Sequence, residues 1–150
     1  KFNLVVEKGI HINNKNIIFE DNYWKISGSH DGYLKKFKTI HEREIEFYPE
    51  QMKFIGFDKL LKKDKSKNIK FDIRFHLTPD TKVMKTQDNK SILIELEDEG
   101  WKFNCDNFNI NIDNGLYLGI KNSYKENQNI CISGICQDDV QTVKWEITRL

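Results

Sequence analysis

Lys70-Phe71-Asp72-Ile73-Arg74-Phe75-His76-Leu77 alternates polar and apolar side chains without a break. In a β-strand successive side chains point to opposite faces, so Phe71, Ile73, Phe75 and Leu77 share one face and Asp72, Arg74 and His76 the other. A helix would scatter the four apolar residues around its circumference. The stretch reads as a strand, with Pro79-Asp80 as the turn beyond it.

The pattern recurs in both directions. Within Leu34–Phe47, Ile40, Glu42, Glu44 and Glu46 fall on one face and His41, Arg43, Ile45 and Phe47 on the other. The first face is nearly all acid and needs water, so the second faces the core or another domain. Further strands are expected at Phe2–Glu7, Asn16–Phe19, Tyr23–Ser27, Lys53–Phe57, Lys82–Lys85, Ser91–Leu96, Trp101–Cys105, Asn109–Ile112, Leu116–Leu118, Asn129–Ser133 and Val143–Thr148. Turn signals separate them, among them Asp31-Gly32, Asp88-Asn89, Glu99-Gly100 and Asp138-Asp139. Asn114-Gly115 fits a two-residue hairpin turn. Only Phe57–Lys65 hints at a helix. Many short strands with regular turns predict an all-β antiparallel sandwich, one domain over residues 1–150. The first ~20 residues fit a strand layer continued upstream.

Composition sets outer limits. The chain has 150 residues and a formal net charge of +1, and its acids and bases are interspersed. A nucleic-acid binder needs a basic face, so that class is not expected. No apolar run is long enough to span a membrane as a helix. Lys1 opens the chain without Met or a leader-like run, which reads as a segment cut from the C-terminal side of a larger chain. Abundant Lys, Asn and Ile with little Ala and Pro fit an AT-rich bacterial genome. Nothing in the sequence chooses between periplasm and cytoplasm. Cys105, Cys131 and Cys136 are odd in number and match no zinc spacing, so buried thiols are expected. The basic run Lys59–Lys67 reads as a solvated loop.

Three of the four histidines and two of the three arginines cluster in three stretches. These are Ser29-His30-Asp31-Gly32-Tyr33, Ile40-His41-Glu42-Arg43-Glu44 and the strand ending at Leu77. Cations on strands need partners, because an unpaired buried charge is costly. If the strands at Ile40 and Leu77 were antiparallel neighbours, His41 would face His76 and Arg43 would face Arg74. Asp31, Asp58 and Asp72 are available as partners, which makes a structural ion-pair network. The functional alternative is an acidic sugar or a phosphate held by arginine forks. His30-Asp31-Gly32-Tyr33 also reads as a turn with His and Tyr packing its flanks. His30, His41 and His76 lack tight metal-ligand spacing. Trp24, Trp101 and Trp145 fit core positions in strands. No phosphate loop, nucleophile elbow or zinc-protease motif is present.

The order of several segments resembles the C-terminal region of bacterial heparinase II/III-like proteins. These are the two stretches above with Phe37 between them, Gly56-Phe57-Asp58-Lys59-Leu60, and Phe71 to Pro79. The likeness continues through Gly100-Trp101-Lys102-Phe103, Leu116-Tyr117-Leu118-Gly119, Asn127 to Gly134 and Val143 to Ile147. It covers residues 23–150. Lys38 stands where the family often has Gly, and Thr78 where a second His is frequent. The resemblance implies a larger protein, a helical toroid followed by an antiparallel sandwich, that eliminates uronic-acid-containing polysaccharides. Its catalytic residues and divalent-metal ligands are implied to lie upstream. No catalytic residue, metal ligand or cofactor is therefore assigned to this segment.

The candidate substrate-binding residues are His30, Tyr33, His41, Arg43, Arg74 and His76. The expected partners are the upstream toroid of the same polypeptide and an acidic polysaccharide. The competing expectation is a non-catalytic carbohydrate-binding or surface interaction module. An exposed aromatic platform with nearby polar groups would favour the module. A buried aromatic set and one large apolar flank missing its partner would favour the fragment of a larger sandwich.

Overall fold

The computed structural model describes residues 10–64, 67–119, 121 and 123–150. The expected strand Phe2–Glu7 lies outside them. The described chain is all-β with antiparallel pairing throughout. The strands are β1 (Ile12–Glu20), β2 (Tyr23–His30), β3 (Thr39–Tyr48), β4 (Lys53–Lys62), β5 (Ile69–His76), β6 (Lys82–Lys85), β7 (Ser91–Glu95), β8 (Gly100–Asn104), β9 (Asn109–Tyr117), β10 (Lys125–Cys136) and β11 (Val140–Arg149). One sheet has eight strands in the order β1-β2-β3-β4-β11-β8-β7-β6, and the facing sheet has three in the order β5-β10-β9.

The strand expected over Leu34–Phe47 begins only at Thr39, because Leu34–Phe37 forms one helical turn, α1. Lys38 ends that turn at φ 52°, donating its N–H to the Leu34 carbonyl. This left-handed conformation is the one glycine adopts most readily, so a tight turn forms here although the residue is Lys. The helix hinted at over Phe57–Lys65 is absent, because β4 runs to Lys62 with Gly56, Asp58, Leu60 and Lys62 buried along one side. Lys62 is therefore no solvated loop residue; its Nζ donates to the carbonyls of Lys67 and Gln137. Asn114-Gly115 is no hairpin turn but lies within β9. A Cβ at Gly115 would collide with the Asn129 amide of the neighbouring strand, so close packing rather than a bend explains the glycine.

The core lies between the sheets. Ile92, Ile94, Phe103, Val143 and Trp145 from the large sheet meet Ile73, Ile110, Ile130 and Ile132 from the small one. Phe75 packs edge-on to Phe103 and Trp145, with centroids 4.9 and 4.8 Å away. The three cysteines are free and buried, and burial pushes each thiol pKa up.

The sheets are unequal in width, and this creates the main surface feature. Cross-strand register aligns Phe19 with Trp24, Trp24 with Phe47 and Phe47 with Phe54 on the inner face of the large sheet. Ile17, Ile26 and Ile45 form the adjacent row. Over β1 and β2 no described element covers this face: Ile17 is 72%, Phe19 74% and Ile26 54% exposed. Trp24, expected in the core, is also exposed. Among the described residues β5 is the small sheet's edge strand on this side, which leaves one row of its backbone groups without a strand partner there.

Candidate functional site

The candidate site forms where the covered and uncovered parts of the inner face meet. β2 and β3 pair so that His30 lies opposite His41, and β3 and β4 pair so that Arg43 lies opposite Asp58. Each of these residues follows the strand alternation onto the inner face. The Asp31-Gly32 bend then turns the chain into α1 and brings Tyr33 beside both imidazoles, with ring centroids 5.2 Å from His30 and 6.5 Å from His41. β5 of the opposite sheet closes the other side. The resulting open cavity of about 480 Å³ is lined by His30, Tyr33, His41, Arg43, Lys70 and Phe71, among others.

Asp58 is the centre of the arrangement and is fully buried. Its Oδ1 accepts from Arg43 Nε at 2.7 Å and lies 2.6 Å from His41 Nε2. Its Oδ2 accepts from Arg43 NH2 at 3.1 Å and from Trp145 Nε1 at 2.8 Å. Burial alone would raise the carboxyl pKa. The bonds from His41, Arg43 and Trp145 outweigh it and hold the group below its ordinary 3.8. The bidentate pair fixes the Arg43 fork over the Phe75 ring, 5.6 Å from its centroid.

The imidazoles continue this network outward. His30 Nε2 lies 3.1 Å from His41 Nδ1, and the Gly32 N–H donates to His30 Nδ1 at 3.2 Å. Burial lowers the His30 pKa from 6.5, with His41 and Arg43 acting in the same direction and Asp31 opposing them. Asp31 itself accepts from the backbone N–H of His11.

Four of the six sequence candidates therefore come together: His30, Tyr33, His41 and Arg43. Arg74 borders the cavity, but its guanidinium is engaged by Asp113 at 2.8 Å and Asp72 at 3.4 Å and is 40% exposed. His76 is exposed at the far end of β5, beside a separate apolar groove lined by Phe54, Leu77 and Trp101. The pairing of His41 with His76 and of Arg43 with Arg74 does not occur. β3 and β5 belong to different sheets, and the partners of His76 and Arg74 on β10 are Asn129 and Cys131. Sequence reasoning missed Trp145 as a hydrogen-bond donor. The alternation of Gly56, Asp58 and Leu60 was the available signal, masked by the apparent helix.

The chain can now be set beside known proteins. A family profile described as Heparinase II/III-like, C-terminal, matches residues 6–146. The chain belongs to this family. Among solved structures, the Heparinase III-BT4657 gene product superposes with a TM-score of 0.72 at 14% identity, over 93% of this chain and 21% of that one. Its form with methylated lysines gives 0.68, also at 14% identity, over 87% of this chain and 20% of that one. At such identity the likeness is one of fold. The heparinase II/III-like chain thus spans about a fifth of these structures' length. No curated protein matches its sequence.

Proposed function

We propose that this heparinase II/III-like domain is a non-catalytic part of a polysaccharide lyase, bracing the rest of that polypeptide and forming one wall of its glycan cleft. The observation that carries this reading is the inner face of β1 and β2 beside the edge of β5, both left uncovered among the described residues. An apolar surface this exposed is a contact surface in the complete molecule. Further strands or helices of the same polypeptide would cover it and leave the cavity at their margin. There Tyr33 and the Arg43 NH1, the nitrogen that takes no part in the Asp58 pair, meet an acidic polysaccharide, with NH1 donating to a uronate carboxylate. A hydrogen bond to that carboxylate favours removal of the adjacent C5 proton in a β-elimination. The base and the leaving-group acid come from upstream.

The exposed aromatic row also invites the competing reading, a free-standing carbohydrate-binding module. Ring orientation argues against it. Phe19 stacks on Trp24 at 4.9 Å and 23°, and Phe47 on Phe54 at 4.3 Å and 22°. One face of each ring is taken by its neighbour, which leaves less ring face for a sugar to stack on.

The test compares the isolated chain with the same chain joined to its natural upstream sequence. Each is incubated with heparin, heparan sulfate and alginate, and the unsaturated uronate product is followed by absorbance. Activity is expected only in the longer protein, lowered by Arg43→Met with KM raised more than kcat is reduced. Activity of the isolated chain that is lost in Tyr33→Phe would overturn the reading.

A further inference from the structure

The His30–His41–Asp58 network has a property that follows from counting hydrogens. Gly32 N–H fills the gap to His30 Nδ1. His30 Nδ1 is therefore an acceptor, which puts the ring hydrogen on Nε2, pointing at His41 Nδ1. By the same logic His41 carries its hydrogen on Nε2 and donates to Asp58 Oδ1. Arg43 and Trp145 fill the remaining Asp58 contacts with their own N–H groups. Every gap from Gly32 to Trp145 already holds one hydrogen.

We propose that His30 and His41 form a proton-operated latch on the Asp31–Tyr33 turn, holding Tyr33 against the cavity while both rings are neutral and releasing it when the pair takes up one proton. A proton from solvent has no vacant gap to enter. If it binds His30 Nδ1, that nitrogen becomes a donor facing the Gly32 donor. If it enters between the two rings at His41 Nδ1, His30 Nε2 must become the acceptor. The His30 hydrogen then moves to Nδ1 and meets Gly32 again. Both routes break the same bond. It is also the longest of the series at 3.2 Å and lies at the exposed end. The opposite end is anchored on the buried Asp58.

The groups around the pair set where the latch acts. Asp31 adjoins His30 in sequence and favours its protonation. Arg43 on β3 opposes it, and burial of the ring opposes it further. Asp58 on β4 is already neutralised by Arg43. Tyr33 packs at a tilt against the His30 ring, and Lys70, Asp72 and Arg74 on β5 border the same cavity. His11 reaches the turn through its backbone bond to Asp31.

The latch acts on the proposed glycan wall and takes its significance from that reading, but it is tested without glycan. Nitrogen-15 NMR of both imidazoles in the ligand-free chain should show the Nε2–H form at neutral pH. His30 should titrate below 6.5. At the same midpoint the Gly32 amide should lose exchange protection, after correction for intrinsic exchange, and the Tyr33 ring signals should shift. His30→Gln should abolish that shared midpoint; if the variant does not fold, the unaltered chain decides. Nδ1–H rings, a His30 midpoint at or above 6.5, or Gly32 and Tyr33 signals that ignore it would overturn the latch. Loss of the glycan reading would leave these spectra unchanged, and failure of the latch would leave glycan binding intact.

Discussion

The indole of Trp145 occupies the space that a side chain at Gly56 would need. The two residues are register partners on β11 and β4, and a Cβ built on Gly56 would collide with the indole. Only glycine lets the ring lie against the backbone, which brings Nε1 to the buried Asp58. Gly56→Ala is expected to destabilise the fold by at least about 1–3 kcal/mol, the usual range for overpacking. Denaturant unfolding measures the loss, and a Trp145 emission shift reports the displaced ring.

Removing one member of a buried pair costs more than removing an exposed one. Arg43→Met leaves Asp58 fully buried without its bidentate partner. A loss of about 3 kcal/mol is expected, the low end of the range for broken buried pairs, because the Arg43 side chain is itself 37% exposed. Glu44→Gln removes only a surface pair with Lys25 on the opposite face and should cost under about 1 kcal/mol. Urea midpoints of the two variants give the comparison.

Acid should weaken the fold in two stages. His30 has a folded-state pKa below its ordinary 6.5, so the unfolded chain binds its proton first. That contribution is full above 6.5 and is lost as pH falls through the lowered folded value. Asp58 is also depressed, so its contribution is present above 3.8 and disappears at lower pH, through its folded value. Melting temperature against pH should show both declines, with the upper one missing in His30→Gln.

On the alkaline side the relevant group is Tyr23, whose pKa is pushed up to about 12 by burial and by the Glu46 carboxylate it donates to at 2.9 Å. Its neutral form is the one the fold favours. The contribution is full below 10.0 and is lost as pH rises toward 12. Tyr48, which donates to the same carboxylate, is raised as well, so spectrophotometric titration should find two late phenols and Glu46→Gln should bring both down.

Much of this was legible in the sequence because strand alternation is a local signal. Phe71, Ile73 and Phe75 could be assigned to one face without knowing any partner. The acid face of β3 likewise needed only water, and its Glu42, Glu44 and Glu46 do lie opposite the core face. What failed was pairing. Nothing near Arg74 reveals that its neighbour is Cys131 rather than Arg43, because strand order depends on contacts far apart in the chain. Asp58 could be named as a possible partner but not as the hub, since burial and Trp145 reach it only through the tertiary fold. The Asn114-Gly115 signal was real chemistry put to another use, space for the Asn129 amide.

The place of β11 bears on how the chain can fold. This last strand lies between β4 and β8, pairing with both, and supplies Val143 and Trp145 to the core. Without it the eight-stranded sheet is two separate pieces, β1–β4 and β6–β8. The large sheet therefore closes only after the C-terminal residues are made, through contacts of long sequence separation. Such topology folds slowly and leaves strand edges open meanwhile. Trimming a few residues from the C-terminal end of β11 should consequently affect refolding rate and yield far more than its length suggests.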